Sequence, residues 1–156
     1  MIHVPSMVRT RVEILFPSGT VPGTSDTLAT VVPVRDGVAG SGVTSVAVTA
    51  GKTLRITSIE LTMRNSAASQ GRVTLNVRSN PSGATVIGSQ TLGTFEASST
   101  GAIVGQTETV TVPIPEGLEL SGANTLGFSF ASTVGTEVCS ACARGYEYST
   151  PAPALR

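Results

Sequence analysis

The stretch Thr53-Leu-Arg-Ile-Thr-Ser-Ile-Glu-Leu-Thr-Met-Arg64 alternates apolar and polar residues, but it changes phase halfway. Leu54 and Ile56 stand at even positions, whereas Ile59, Leu61 and Met63 stand at odd ones. Successive side chains of a strand point to opposite faces, so uninterrupted pleating cannot bring both sets to one core. One extra residue near Thr57-Ser58 restores the phase, and a β-bulge is predicted there. The same period of two continues on both sides. Val12, Ile14 and Phe16 alternate with Arg11, Glu13 and Leu15, and Val46 and Val48 keep the same spacing before the turn at Ala50-Gly51-Lys52. Val73, Leu75 and Val77, then Val110, Val112 and Ile114, then Leu126, Phe128 and Phe130 repeat the pattern. Helical spacing of apolar residues is absent throughout.

Turn-forming clusters separate these runs: Asn65-Ser66, Asn80-Pro81-Ser82-Gly83, Ser98-Ser99-Thr100-Gly101, Pro115-Glu116-Gly117 and Ser121-Gly122-Ala123-Asn124. Roughly eight short strands with one oily face each predict an all-β fold, an antiparallel β-sandwich or jelly roll, over residues 43–148. Residues 1–42 read differently. Pro5, Pro17, Pro22 and Pro33 interrupt two short β-prone runs, and the glycines of Gly37-Val-Ala-Gly-Ser-Gly42 read as a hinge. They are expected to form an extended N-terminal arm, held by the chain's own sandwich or by a neighbour's edge, with contact to neighbours the favoured reading. Residues 149–156 are expected to form a C-terminal tail of the same character.

Composition narrows the function. Apolar residues make up 40% of the 156, enough for a core without disulfides or metals, while charged residues make up only 13%, against about 25% in an ordinary soluble domain. The formal net charge is zero, and Lys52 is the only lysine. A nucleic-acid ligand is not expected, because no basic stripe is present. Near-zero net charge removes the mutual repulsion that keeps proteins apart, which suits a chain held within an assembly. No stretch approaches the roughly 20 apolar residues of a membrane span. The opening MIHVPSMVRTRVEILF is broken by Pro5, Arg9, Arg11 and Glu13 and is not expected to act as a secretory signal, so synthesis in a bacterial-type cytoplasm is expected.

Catalytic constellations are sparse. His3 is the only histidine, which leaves a Ser–His–Asp set without a base beyond that terminus. Ala50-Gly51-Lys52-Thr53 ends like a phosphate loop, but Val46 stands where the motif needs glycine and a strand follows, so a hairpin turn is the better reading. Cys139 and Cys142 form a C-x-x-C pair in a strand-like context, which favours two reduced, partly buried thiols over a redox or zinc site. The absence of Trp disfavours a sugar-binding cleft, although a glutamate pair of glycosidase type stays open at this stage. No enzyme activity, cofactor, metal or small-molecule substrate is expected. Tyr146 and Tyr148 share one face of a terminal strand and are candidate interface anchors, with core or surface-pair roles as the alternative. Arg9 and Arg11 could pair with acidic partner surfaces or simply face water.

The segments AGKTLRITSIELTMRN (50–65), VTLNVRSNPSGATVIGSQTLGTF (73–95) and VPIPEGLELSGANTLGFSF (112–130) resemble jelly-roll virion proteins of tailed bacteriophages. The resemblance covers roughly residues 43–148 and is one of style, with no diagnostic motif. It implies a capsid decoration, or cement, protein on the outer surface of the virion. Such a protein would bind other copies of itself, as dimer or trimer, and bridge major capsid subunits. Val12, Ile14 and Phe16 would then be the apolar anchors of an arm reaching neighbouring chains. A receptor-binding or adhesin domain at a fibre tip is the alternative.

Overall fold

The computed structural model describes residues 8–20, 24–66, 70–81, 86, 88–99, 104–133 and 137–149. His3 and the tail beyond Ser149 lie outside them. Among the described residues the chain forms eleven strands: β1 (Arg9–Thr20), β2 (Thr27–Leu28), β3 (Val32–Arg35), β4 (Val38–Ala39), β5 (Val46–Ala47), β6 (Lys52–Arg64), β7 (Arg72–Ser79), β8 (Gln90–Ser98), β9 (Thr107–Ser121), β10 (Thr125–Ser132) and β11 (Val138–Ser149). Six make one antiparallel sheet in the order β4-β3-β1-β11-β6-β9; the second runs β2-β10-β7-β8, with β5 also pairing β10. The two last strands slot between early and middle ones, β10 between β2 and β7, β11 between β1 and β6. That wrapping is a jelly roll.

The alternation read from the sequence packs the space between the sheets. Val12, Ile14, Leu54, Ile56, Ile59, Leu61, Met63, Val73, Leu75, Val77, Leu126, Phe128 and Phe130 are all buried in one cluster. Fully burying each such side chain contributes about 1.5–3 kcal/mol. Three rings anchor it: Phe16 lies 4.8 Å from Phe130, and Phe128 meets Phe130 edge-on at 6.4 Å.

The bulge expected in β6 is present. Ile56 pairs with Gly145 and Ser58 with Arg144, which leaves Thr57 as the extra residue. Its hydroxyl donates to the Arg144 carbonyl oxygen at 3.2 Å. The phase reset turns Leu54 and Ile56 inward together with Ile59, Leu61 and Met63. The backbones approach closely here: a Cβ on Gly145 would stand 1.9 Å from the Arg55 carbonyl oxygen, so only glycine fits. On the other side Ile56 pairs with Leu118 and Ser58 with Pro113. Pro115-Glu116-Gly117 is therefore an irregularity within β9, with Gly117 at φ +73°, and not a turn between strands. Likewise Ala50-Gly51-Lys52 is a turn, but it carries the chain from β5 in one sheet to β6 in the other and closes no hairpin.

The leading segment departs from the sequence reading. Residues 9–20 do not stand off as an arm: β1 is an interior strand, paired along its length with β11 and, at Val12 to Leu15, with β3. Val12 and Ile14 are 0% exposed within the chain's own core, so neither can anchor the chain to a neighbour. Phe16 packs on Phe130 of the same chain. Alternation is the physical reason, since a strand with one oily face buries it in the nearest core that completes its sheet. The presumed hinge contains a hairpin, β3–β4, with Asp36 and Gly37 at φ +48° and +83° in its two-residue turn. An Asp-Gly pair favours that turn because both residues tolerate positive φ. Three of the four sheet edges are blunted as well: β2 and β4 are two residues long, and edge strand β9 carries Pro113 and Pro115, while β8 is the long edge without proline.

Candidate interaction surface

The period of two that buries Val12 and Ile14 turns Arg9, Arg11, Glu13 and Leu15 to the outer face of the six-stranded sheet. On β11 the same rule presents Cys142, Arg144, Tyr146 and Tyr148. Antiparallel register places Arg9 opposite Tyr148, Arg11 opposite Tyr146, Glu13 opposite Arg144 and Leu15 opposite Cys142. On β6, Arg55 stands opposite Tyr146 and Glu60 opposite Cys142; on β9, Glu119 stands opposite Arg55.

Across Arg11, Glu13, Arg144 and Glu60 the charges alternate in sign. Arg11 Nη2 lies 2.6 Å from Glu13 Oε1, Arg144 Nε lies 3.7 Å from Glu13 Oε1, and Arg144 Nη1 lies 3.4 Å from Glu60 Oε2. Beyond them Thr62 and Thr109 share a hydroxyl hydrogen bond of 2.9 Å. At one end, Arg9, Arg55, Tyr146 and Tyr148 line a shallow concavity of about 130 Å³. The Arg9 guanidinium lies 4.5 Å over the Tyr146 ring, whose centroid is 5.8 Å from that of Tyr148. Arg55 Nη2 donates to the Glu116 carbonyl oxygen at 2.6 Å, and its Nη1 sits 3.6 Å from Glu119. The Tyr148 hydroxyl donates to Glu119 Oε1 at 3.1 Å. Desolvation and that carboxylate hold the Tyr148 phenol above its ordinary value.

Of the residues singled out in the sequence, Arg9, Tyr146 and Tyr148 come together in the concavity, and Arg11 lies beside them with 71% of its side chain exposed. Val12, Ile14 and Phe16 belong to the core. Arg55 and Glu119 escaped notice. Their signal was outward phase on β6 and β9, but only the register shows that they meet the tyrosines.

Two further polar groups serve the fold. Glu147 is fully buried. It accepts from Arg35 Nη2 and Nε at 3.0 and 3.3 Å, and from the Thr49 hydroxyl and amide at 2.6 and 3.1 Å. Burial alone would raise this carboxyl, but the bonds from Arg35 and Thr49 together outweigh it and hold the group below its ordinary value. The latch ties β3 and the 48–49 loop to β11. A second ion pair, Asp26 with Arg78, fastens the start of β2 beside β7, and Arg78 Nε also donates to Ser129 Oγ at 2.8 Å.

Cys139 and Cys142 do not form a redox pair. Three residues apart on an extended strand, they point to opposite faces roughly 10 Å apart, beyond the span of a disulfide. Both are buried. Burial, with the nearby Glu137 carboxylate, pushes the Cys139 thiol up to about 12, and burial also raises Cys142. No group of three or more metal-ligating residues gathers among the described residues.

No protein-family model and no curated protein matches this sequence. Among solved structures, the Eiger TNF of S. frugiperda superimposes with a TM-score of 0.50 at 10% identity, covering 96% of this chain and 98% of that one. A Desmodium yellow mottle tymovirus chain gives a TM-score of 0.36 at 13% identity, covering 100% of this chain and 94% of that one. The likeness to Eiger runs over nearly the whole of both chains, and it is one of fold.

Proposed function

We propose that this chain is a non-enzymatic structural protein of a virion, a decoration protein that bridges and stabilises capsid subunits on the outer surface of a bacteriophage head. It would be made in the host cytoplasm and would act together with other copies of itself, as a dimer or trimer, without nucleic acid, membrane or small-molecule substrate as partner. The observation that carries this reading is the outer face of the six-stranded sheet. No strand of the second sheet covers it, and it displays a neutral row of alternating charges in Arg11, Glu13, Arg144 and Glu60. Each charge already has a partner, so laying another protein over the row isolates none of them in a dry interface. Zero net charge lets many copies crowd a shell without accumulating repulsion. Several modest contacts made at once by an oligomer then give firm retention.

The test is add-back. Particles lacking the chain are mixed with the purified protein, and binding and heat resistance of the particles are measured. Saturable binding with a higher temperature of genome release is the expected result. Absence of binding would refute the reading. So would a particle of unchanged stability whose adsorption to cells depends on the chain, the behaviour of a fibre-tip domain.

A further inference from the structure

We infer that the concavity formed by Arg9, Arg55, Tyr146 and Tyr148 receives a carboxylate side chain presented by a partner protein. The inference rests on the assembly reading above and gives the partner surface a chemistry.

Arg9 is the pivot. It forms no ion pair among the described residues; its guanidinium instead lies 4.5 Å over the Tyr146 ring. A guanidinium stacked on a ring still carries a rigid fork of donors matched to a carboxylate. Arg55, the second cation, is held in place by the Glu116 carbonyl oxygen and by Glu119, which also accepts from the Tyr148 hydroxyl. The two tyrosine rings, 5.8 Å apart and tilted by 49°, wall the space with apolar surface. A carboxylate entering there would meet two guanidinium groups while losing part of its water, the setting in which charge-assisted hydrogen bonds are strongest. Arg and Tyr are also the residue types that most often dominate protein interfaces.

The rim selects among anions. Glu119 keeps 47% of its side chain exposed beside Arg55, and Glu13 and Glu60 follow along the same face. A single carboxylate seated on Arg9 meets Glu119 alone, whose charge Arg55 offsets, whereas a phosphodiester chain laid over the tyrosines would run onto all of these acids. A protein surface with an exposed Asp or Glu fits better than a polyanion.

The experiment is an amide and arginine-Nε NMR titration of the full chain with an acetylated, amidated Gly-Glu-Gly-Glu-Gly peptide. Its glutamine counterpart, inorganic phosphate and a ten-residue oligothymidylate are titrated alongside. Saturable shifts at Arg9, Arg55, Tyr146 and Tyr148 with the glutamate peptide alone are expected. Arg9→Gln should weaken that binding on the order of tenfold, the loss of one charge-assisted contact, with an unchanged far-UV spectrum and melting midpoint. The inference is overturned by an absence of saturable shifts, by an equal response to the glutamine peptide, by unaltered affinity in Arg9→Gln, or by tighter binding of phosphate or oligothymidylate. Particle add-back is scored separately. A chain that stabilises particles but ignores the peptide sinks only the carboxylate site; one that binds the peptide but ignores particles sinks only the capsid role.

Discussion

Arg35→Ala and Glu147→Gln remove opposite ends of one ion pair, and the structure makes the two losses unequal. The Glu147 side chain is 1% exposed, whereas that of Arg35 is 33% exposed. Deleting the arginine leaves a buried carboxylate with only the Thr49 hydroxyl and amide as donors. Breaking a buried pair in this way costs about 3–5 kcal/mol. Converting Glu147 to glutamine turns an amide NH2 towards the donors of Arg35 and Thr49, but the cation it leaves is one that water already reaches, and about 1–3 kcal/mol is expected. The pH dependence separates them further. In the native chain Glu147 is held below the ordinary carboxylate value of about 4.3, so its stabilisation is complete above that value and lost as pH falls through the lower folded one. In Arg35→Ala burial, the largest single influence, is opposed only by the two Thr49 bonds, and the folded pKa is expected to rise above the unfolded one. The penalty is then full at neutral pH and is relieved as pH falls through the raised value. Urea unfolding followed by far-UV circular dichroism is the assay, the chain having no Trp. The cost of Arg35→Ala should begin to shrink at a higher pH than that of Glu147→Gln. Equal costs at neutral pH, or an Arg35→Ala cost that does not change with pH, would refute the reasoning.

Ile14→Ala should lose about 2–5 kcal/mol of unfolding free energy, as a fully buried aliphatic residue does, while Arg11→Ala on the opposite face should stay within about 0.5 kcal/mol; a harmless Ile14→Ala would mean that β1 is not part of this core. Neither thiol should react with an aromatic disulfide reagent in the native chain, and both should react in urea; prompt native labelling of Cys139 would contradict its burial.

Strand identity was legible because a period of two survives without any tertiary knowledge, and the misphasing of Leu54 and Ile56 against Ile59 and Leu61 located the bulge to the Thr57-Ser58 pair. Pairing was not legible. The contact of Arg9 with Tyr148 joins opposite ends of the described chain, and no local pattern encodes it. The prolines of the first forty residues suggested detachment from the sandwich. Pro17 falls where the register slips between Phe16 and Gly19, a site that a residue without an amide hydrogen tolerates. The Asp36-Gly37 hairpin signal was present but hidden by the glycines around it. β8 was obscured because Leu92, Phe95 and Ala97 keep no strict alternation. At the candidate surface the two tyrosines could be read from their spacing, whereas Arg9 and Arg55 arrive from separate strands and become neighbours only through register.

The spare residue at Thr57 sets a reading frame for β6. Upstream and downstream halves face the core on different parities, so the strand tolerates length change only in a quantised way. Losing Thr57 would throw either Leu54 and Ile56 or Ile59, Leu61 and Met63 out toward water, whereas removing two neighbouring residues within one half would keep parity. Kin of this chain should therefore differ in β6 by even steps, or carry their odd step at this one joint.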